Sequence, residues 1–341
     1  MKKKILNDVL IIRILLIFLL IIYHSFAIFN GGWEPLSGFP KIELYTWIAD
    51  ISYSFMLEMF VFISGLILGF QVLNRSNEFI TKLSFLKKKA QRLLIPSIFF
   101  GILYVLIIDK EFNWFSVYKI LNGYAHMWFL PMLFLCFCYI YIINKFDVIS
   151  KWILLITIIV VIQPIPQLPF QITKSLYYFF FFFLGYLIGK REFVIDKFIR
   201  WRYFLFLLLF YFVTSIFFHI WKYEVVQNTS ILQKILYFYI KRFISVLCAL
   251  SGLFFVYVGI NIWHYYKKNV LSEKYIRLSG YCFGVYLLQQ FILKLLYNNS
   301  FYVSFCGPYM LPFVSFTITV VLSIFIVSFL LRTRLGRFLI A

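Results

Sequence analysis

The stretch VLIIRILLIFLLIIYHSFAIF, residues 9–29, is long and apolar enough to cross a lipid bilayer as one helix. It nevertheless contains Arg13 and His24, and both side chains are costly to bury in lipid. At 100° and 1.5 Å per residue, the two lie within about 20° on one helix face and about 16 Å apart along the axis. The segment therefore predicts a transmembrane helix with a cation toward one membrane surface and an imidazole toward the other.

The composition of the chain excludes an ordinary soluble enzyme. Hydrophobic residues make up 63% of its 341 residues, whereas soluble domains average about 45–50%. The net charge of +20 would suggest a nucleic-acid partner in a soluble protein, but most lysines and arginines fall in short loops between apolar segments. We therefore expect an all-α integral membrane protein that binds no nucleic acid.

The apolar segments predict about ten transmembrane helices in a single domain that covers residues 1–341. Their approximate bounds are 9–29, 48–72, 93–109, 127–144, 152–168, 172–189, 203–221, 243–263, 278–297 and 309–331. With the N-terminus inside, the cytoplasmic loops and tails hold 23 of the 33 lysines and arginines, and the outer loops hold 8 when Lys174, at the outer end of the sixth span, is counted with them. This excess follows the positive-inside rule, so we expect both termini in the cytoplasm.

Two acidic residues fall in the second predicted span. Glu58 lies within it, where a carboxylate usually faces a cavity or has a cationic partner. Asp50, about 80° away around the same helix, is expected nearer the outer surface. Both are candidates for a polar site inside the membrane.

Basic residues precede the third predicted span. Lys89 and Arg92 are three residues apart and share one helix face, so the pair could hold a phosphate group at the cytosolic surface. The alternative is a positive-inside anchor, which is the preferred interpretation for Lys87 and Lys88.

The remaining polar residues suggest an outer site and no metal site. His126 and Trp128 open the fourth span at the outer interface, where an aromatic-belt role is the alternative. Gln289 lies in the ninth span and needs a partner, most simply on another helix.

His219 and His264, near span ends, are expected to tolerate substitution. No spacing pairs the five cysteines with histidines as zinc ligands.

Several of these stretches together resemble the acyltransferase-3 family of bacterial multi-pass membrane O-acyltransferases. RILLIFLLIIYH is similar to the family's R-x10-H signature, and MFVFISG to its F-F-x-x-S-G segment. KAQRLLIP resembles its R-x-x-R-x-x-x-P pattern, with Lys89 in place of the first arginine. HMWFLPMLF, FFFLGYLIG and YCFGVYLLQQ resemble its W-F-L, F-L-G-Y and late Y-L-L-H segments. The matches keep the family's order from residue 13 to about residue 290.

The chain departs from the family pattern at three positions. Met56 and Glu58 stand where many members have histidine and proline, and Gln289 stands where the late histidine usually lies. Gln289 does not supply the titratable imidazole that a mechanism with the late histidine requires.

The resemblance implies transfer of an acyl group, usually acetyl, from cytoplasmic acyl-CoA to a saccharide hydroxyl outside the bacterial cytoplasmic membrane. Acetyl-CoA or another acyl-CoA would be the donor, and a cell-envelope saccharide or lipid-linked saccharide the acceptor. Arg13, with Lys89 and Arg92, would hold CoA phosphates or the thioester oxygen near the cytoplasm.

The reaction with the acceptor would take place at the second half of the helix predicted over residues 9–29. His24 would take the proton from the acceptor hydroxyl as a general base, and a covalent acyl-histidine is a less favoured variant. Glu58 would orient or charge-balance this group. Asp50, His126 and Trp128 are the expected contacts of the acceptor.

Two other classes of function compete with this interpretation. A transporter or flippase of envelope saccharide precursors would also line a membrane cavity with polar residues, although the internal repeats that a transporter often has are not visible. A purely structural membrane subunit would leave Arg13 and His24 unexplained.

Overall fold

The computed structural model describes residues 2–75, 78–110, 112–146, 148–193, 195–224, 230–267 and 273–340, and within these residues the protein is helical and contains no β-strand. The α-helices are α1 (Lys2–Phe26), α2 (Glu43–Tyr53), α3 (Met56–Arg75), α4 (Glu78–Thr81), α5 (Leu83–Tyr104), α6 (Trp114–Leu121), α7 (Phe129–Lys145), α8 (Ser150–Ile162), α9 (Ile172–Lys190), α10 (Trp201–Tyr223), α11 (Ile231–Lys267), α12 (Glu273–Tyr297), α13 (Ser300–Leu330) and α14 (Arg334–Ile340). A π-helical turn covers Val105–Asp109, and short 3-10 helices cover Ala125–Trp128 and Asp196–Phe198.

The predicted all-α membrane fold is confirmed. In the part of the chain that the structure describes, eight helical segments are long and apolar enough to cross a membrane. The two other predicted spans correspond to α8, which is apolar but has only 13 residues, and to α12. The count of ten spans, the cytoplasmic termini and the single domain over residues 1–341 stay predictions.

The helix predicted over residues 243–263 is longer than expected. α11 begins at Ile231 and has 37 residues, which corresponds to about 55 Å of helix, more than the hydrocarbon thickness of about 30 Å. No proline interrupts this sequence, so the helix continues through a segment that the charge pattern assigned to an outer loop. The rest of that loop, residues 225–229, lies outside the described residues.

The second predicted span is divided into α2 and α3. Between them, the Ser54 hydroxyl donates to the carbonyl of Ile51 and lies 3.0 Å from the hydroxyl of Tyr211 on α10. A serine hydroxyl that bonds a nearby carbonyl competes with the regular helical pattern. The interruption therefore lies at a polar contact with another helix.

Residues 1–59 and 196–341 form one compact unit. α1 lies against α2, α11, α12 and α13, while α10 pairs with α11 and α12 with α13. Ile12 and Leu16 on α1 are completely buried, as expected for the face of a helix that packs against other helices. α1 is therefore the central helix of this unit, and four neighbouring helices can supply partners to its polar side chains.

Residues 60–195 form the other compact unit, in which α5 packs on α7, α7 on α9 and α8 on α9. Gly65 and Gly69 of α3 lie directly against the backbone of α9, and Gly185 and Gly189 of α9 lie against that of α3. A Cβ at any of the four would collide with backbone atoms of the facing helix. Small residues four apart allow this close approach, a common device of helix pairs in membranes.

Candidate active site

Arg13 and His24 lie on the central helix of the first unit and face α12. Arg13 is half-buried and lies close enough to Cys282 for its charge to act on the thiol. His24, in the last turn of α1, is buried and contacts Gln289 further along α12. Because both contacts follow the same order along the two helices, α1 and α12 run parallel. Both polar residues of this face of α1 therefore have a neighbour on α12.

A hydrogen bond at Nδ1 and a stacked indole hold the His24 imidazole. Its Nδ1 lies 2.9 Å from Oε1 of Gln289, whose side chain is fully buried. The ring stacks on Trp33 with a centroid distance of 5.6 Å and an interplanar angle of 14°, and the ammonium of Lys294 lies 4.2 Å from the centre of the Trp33 ring. The partner that the sequence required for Gln289 is therefore His24.

Glu58 lies in the first turn of α3 and is buried. It is close enough to Cys248 of α11 for its charge to act on the thiol, and Cys248 in turn lies beside Ser54 and Thr214. Thr214 and Ser251 share a hydrogen bond of 2.9 Å. Glu58 therefore belongs to a polar cluster shared by α3, α10 and α11, and its expected role beside His24 stays a prediction.

Asp50 is almost completely buried, and protein donors occupy both of its carboxylate oxygens. Oδ1 accepts hydrogen bonds from the Asn30 amide at 3.0 Å and from the ammonium of Lys222, and Oδ2 lies 2.8 Å from Nδ1 of His219. The His219 ring stacks on Trp47 with centroids 3.7 Å apart. These contacts join α2, α10 and the segment after α1, and they leave Asp50 less able to contact a substrate than the sequence suggested.

The contacts of His219 with Asp50 and Trp47 were not expected from the sequence. Its pairing with Asp50 and its stacking change the expectation that it tolerates substitution. The available signal was the i, i+3 spacing of His219 and Lys222 near one end of a span, together with a buried carboxylate that required a cationic partner. His264 also has an acidic neighbour, with Nδ1 3.7 Å from a carboxylate oxygen of Asp8.

The two candidate donor-binding cations of the second unit lie on α5. Arg92 is exposed. Lys89 is half-buried, and its ammonium lies 4.1 Å from the ring centre of Phe137 and 5.6 Å from that of Phe85. Aromatic faces attract an ammonium, so Lys89 is held against α7 while Arg92 projects from the helix.

His126 and Trp128 lie in the short 3-10 helix before α7. His126 is buried and Trp128 is half-buried, with the ammonium of Lys174 3.9 Å from a Trp128 ring centre. The preceding turn requires Gly123, because its φ of +82° disfavours other residues and a Cβ would collide with the Trp128 backbone. Both predicted contact residues therefore belong to a tightly built turn beside a cation.

The described side chains include no group of three or more His, Cys, Asp or Glu residues placed to hold a metal ion. In the first unit, the candidate residues lie in the pair His24–Gln289, the cluster around Asp50 and the cluster around Glu58. In the second unit, they lie among the α5 cations and in the turn at Trp128.

Comparison with known proteins identifies one family. The model of the acyltransferase-3 family, described as an acyltransferase domain, matches residues 7–333, nearly the whole chain. No curated protein and no solved structure matches the chain.

Proposed function

The chain belongs to the acyltransferase-3 family, and we therefore propose that it transfers an acyl group, acetyl in the simplest case, across the bacterial cytoplasmic membrane. The donor is acyl-CoA in the cytoplasm. The acceptor is a hydroxyl of a cell-envelope saccharide, free or lipid-linked, on the outer side. The family match carries this proposal, because it covers both Arg13 and His24 of the central helix.

On the donor side, we assign cations near the cytoplasmic surface to the negatively charged parts of acyl-CoA. Arg92 is exposed and can form charge-assisted hydrogen bonds to phosphate oxygens. Lys89, held over Phe137, is the second proposed phosphate contact. Arg13 is proposed to bind a phosphate of the donor from α1, since a guanidinium forms charge-assisted hydrogen bonds to phosphate oxygens.

On the acceptor side, His24 is the proposed general base. An imidazole exchanges protons near neutral pH, and the ring of His24 is oriented by a hydrogen bond and by a stacked indole. When the hydroxyl oxygen attacks the acyl carbon, His24 takes the hydroxyl proton, the C–S bond breaks and CoA leaves as the thiolate. Glu58 is proposed to balance the charge of this group.

His126 and Trp128 are proposed as contacts of the acceptor, since an indole face and an imidazole suit a sugar. For Asp50 we replace the direct contact expected from the sequence by a supporting role, because three protein donors already engage its two oxygens. No metal ion takes part in the proposed reaction.

The experiment that tests the proposal follows the label of radioactive acetyl-CoA in vesicles that contain the purified protein and a mixture of envelope saccharides. We expect the thioester to be consumed and the label to appear on saccharide. Movement of saccharide across the vesicle membrane with the acetyl-CoA left intact would contradict the proposal and favour a transporter.

A further inference from the structure

The contact between His24 and Gln289 indicates which ring nitrogen of His24 carries the proton. A histidine in its neutral form carries a proton on only one of its two ring nitrogens, and the hydrogen bond at one nitrogen decides the state of the other. Here Nδ1 of His24 lies 2.9 Å from the amide oxygen of Gln289, and both side chains are buried. An amide oxygen accepts hydrogen bonds and cannot donate them.

We propose that Gln289 is a positioning residue that fixes the tautomer of His24. Its Oε1 holds the proton on Nδ1, so Nε2 has the lone pair and becomes the atom that accepts the proton of the acceptor hydroxyl. The inference deepens the proposed function, since it rests on His24 as the general base.

A second observation separates this role from simple packing. Nε2 of Gln289 is buried and has no hydrogen-bond partner among the described residues, which carries a desolvation cost. Leucine has a similar volume and would avoid that cost. Packing between α1 and α12 therefore does not explain an amide at this position, whereas the hydrogen bond from its oxygen to His24 does.

The proposed arrangement also suits the proton transfer itself. The hydroxyl oxygen forms the new bond to the acyl carbon, its proton passes to Nε2 of His24, and the CoA thiolate leaves. The imidazolium that forms keeps its Nδ1–H on Oε1 of Gln289. Because glutamine does not titrate, this acceptor stays available at every pH at which the base works.

The first test observes the tautomer directly. The chain has four histidines, so the nitrogen signals of His24 in the full-length protein labelled with 15N-histidine can be assigned by their loss in His24→Gln. We expect the Nδ1–H tautomer in the parent protein and a mixed tautomer in Gln289→Leu. A parent protein with the proton on Nε2 would overturn the proposal, and this readout does not depend on activity.

The second test uses the rate of transfer. Gln289→Leu should lower kcat by about 10–100-fold, as for hydrogen-bond partners that orient metal-bound histidines, with little change in KM for acyl-CoA. Gln289→Glu should keep most of the rate, because its carboxylate also accepts from Nδ1, but should move the acidic limb of the pH profile to higher pH. Gln290→Leu, which removes the neighbouring buried amide, is the matched control and should leave the pH profile unchanged.

The outcomes distinguish a failure of the role proposed for Gln289 from a failure of the role proposed for His24. If His24→Ala loses transfer while Gln289→Leu and Gln289→Glu keep the parent rate and pH profile, the role of Gln289 is overturned and the base remains. If His24→Ala itself transfers at the parent rate, the proposed function of His24 fails, and the tautomer measurement still decides what Gln289 does. Should Gln289→Leu fold poorly, Gln289→Glu and the spectra of the parent protein carry the test.

Discussion

Two buried histidines of the first unit have opposite kinds of partner. His24 bonds the neutral amide of Gln289, whereas His219 bonds the carboxylate of Asp50, which also holds the ammonium of Lys222. A carboxylate that already has a cation and two further donors ties helices together, and the loss of one member leaves buried charge uncompensated. An amide partner orients a ring without adding charge. We therefore propose proton transfer for His24 and structural support for His219.

The largest expected effect on stability comes from the carboxylate of the His219 cluster. Asp50→Ala should lower the free energy of unfolding by about 3–5 kcal/mol, because three donors lose their acceptor and each unsatisfied buried donor costs about 1–3 kcal/mol. Thermal or detergent-induced unfolding measures it. Glu43→Ala is the matched control on the same helix, because Glu43 pairs with Lys41 on the surface and such pairs contribute about 0–1 kcal/mol. Equal effects of the two substitutions would show that the buried carboxylate contributes no more to stability than the surface ion pair.

The next expected effect concerns the donor and should leave both histidine sites intact. Arg92→Ala should weaken acyl-CoA binding by about 1.5–3 kcal/mol, the contribution of one hydrogen bond to a charged group, and should not change thermal stability. Titration of the purified protein with acyl-CoA measures it, with Lys87→Ala as the control that changes little. Unchanged binding in Arg92→Ala would return this arginine to the role of a membrane-surface anchor.

The smallest expected effect lies at the exposed edge of the Asp50 cluster. The Lys222 side chain is 32% exposed, whereas Asp50 is 1% exposed, so solvent screens much of the ion pair. Lys222→Met, which keeps the aliphatic stem, should therefore lower the free energy of unfolding by less than Asp50→Ala does, since Asn30 and His219 still bond the carboxylate. A loss as large as that of Asp50→Ala would show that the cation, rather than the carboxylate, organises the cluster.

The sequence predicts the helices of this fold much better than it predicts their contacts. Hydrophobic length identifies α1 and the shared face of Arg13 and His24, because both follow from local helical geometry. The partners of the histidines are not local: Gln289 is 265 residues from His24, and Asp50 is 169 residues from His219. A buried polar side chain indicates that a partner is needed, but only the packing of the helices determines which one.

The differences between the predicted and the observed helix ends have a similar cause. Charge and hydropathy placed residues 231–242 in an outer loop, yet α11 continues through them because nothing in the sequence breaks the helix. The division between α2 and α3 at Ser54 depends on a hydroxyl contact with Tyr211, which is 157 residues away. Local patterns therefore identify the apolar parts of helices, while their ends and interruptions depend on tertiary contacts.

We propose that His24, and not His219, performs the proton transfer. The transfer rate per folded, donor-binding molecule in His24→Gln and His219→Gln tests this proposal. We predict that His24→Gln lowers this rate by about 10²–10⁴-fold, the usual contribution of a general base, with donor binding and thermal stability retained. His219→Gln should lower stability and keep the rate per folded molecule. Parent-rate transfer by folded His24→Gln, or a rate lost in folded His219→Gln alone, would contradict the account.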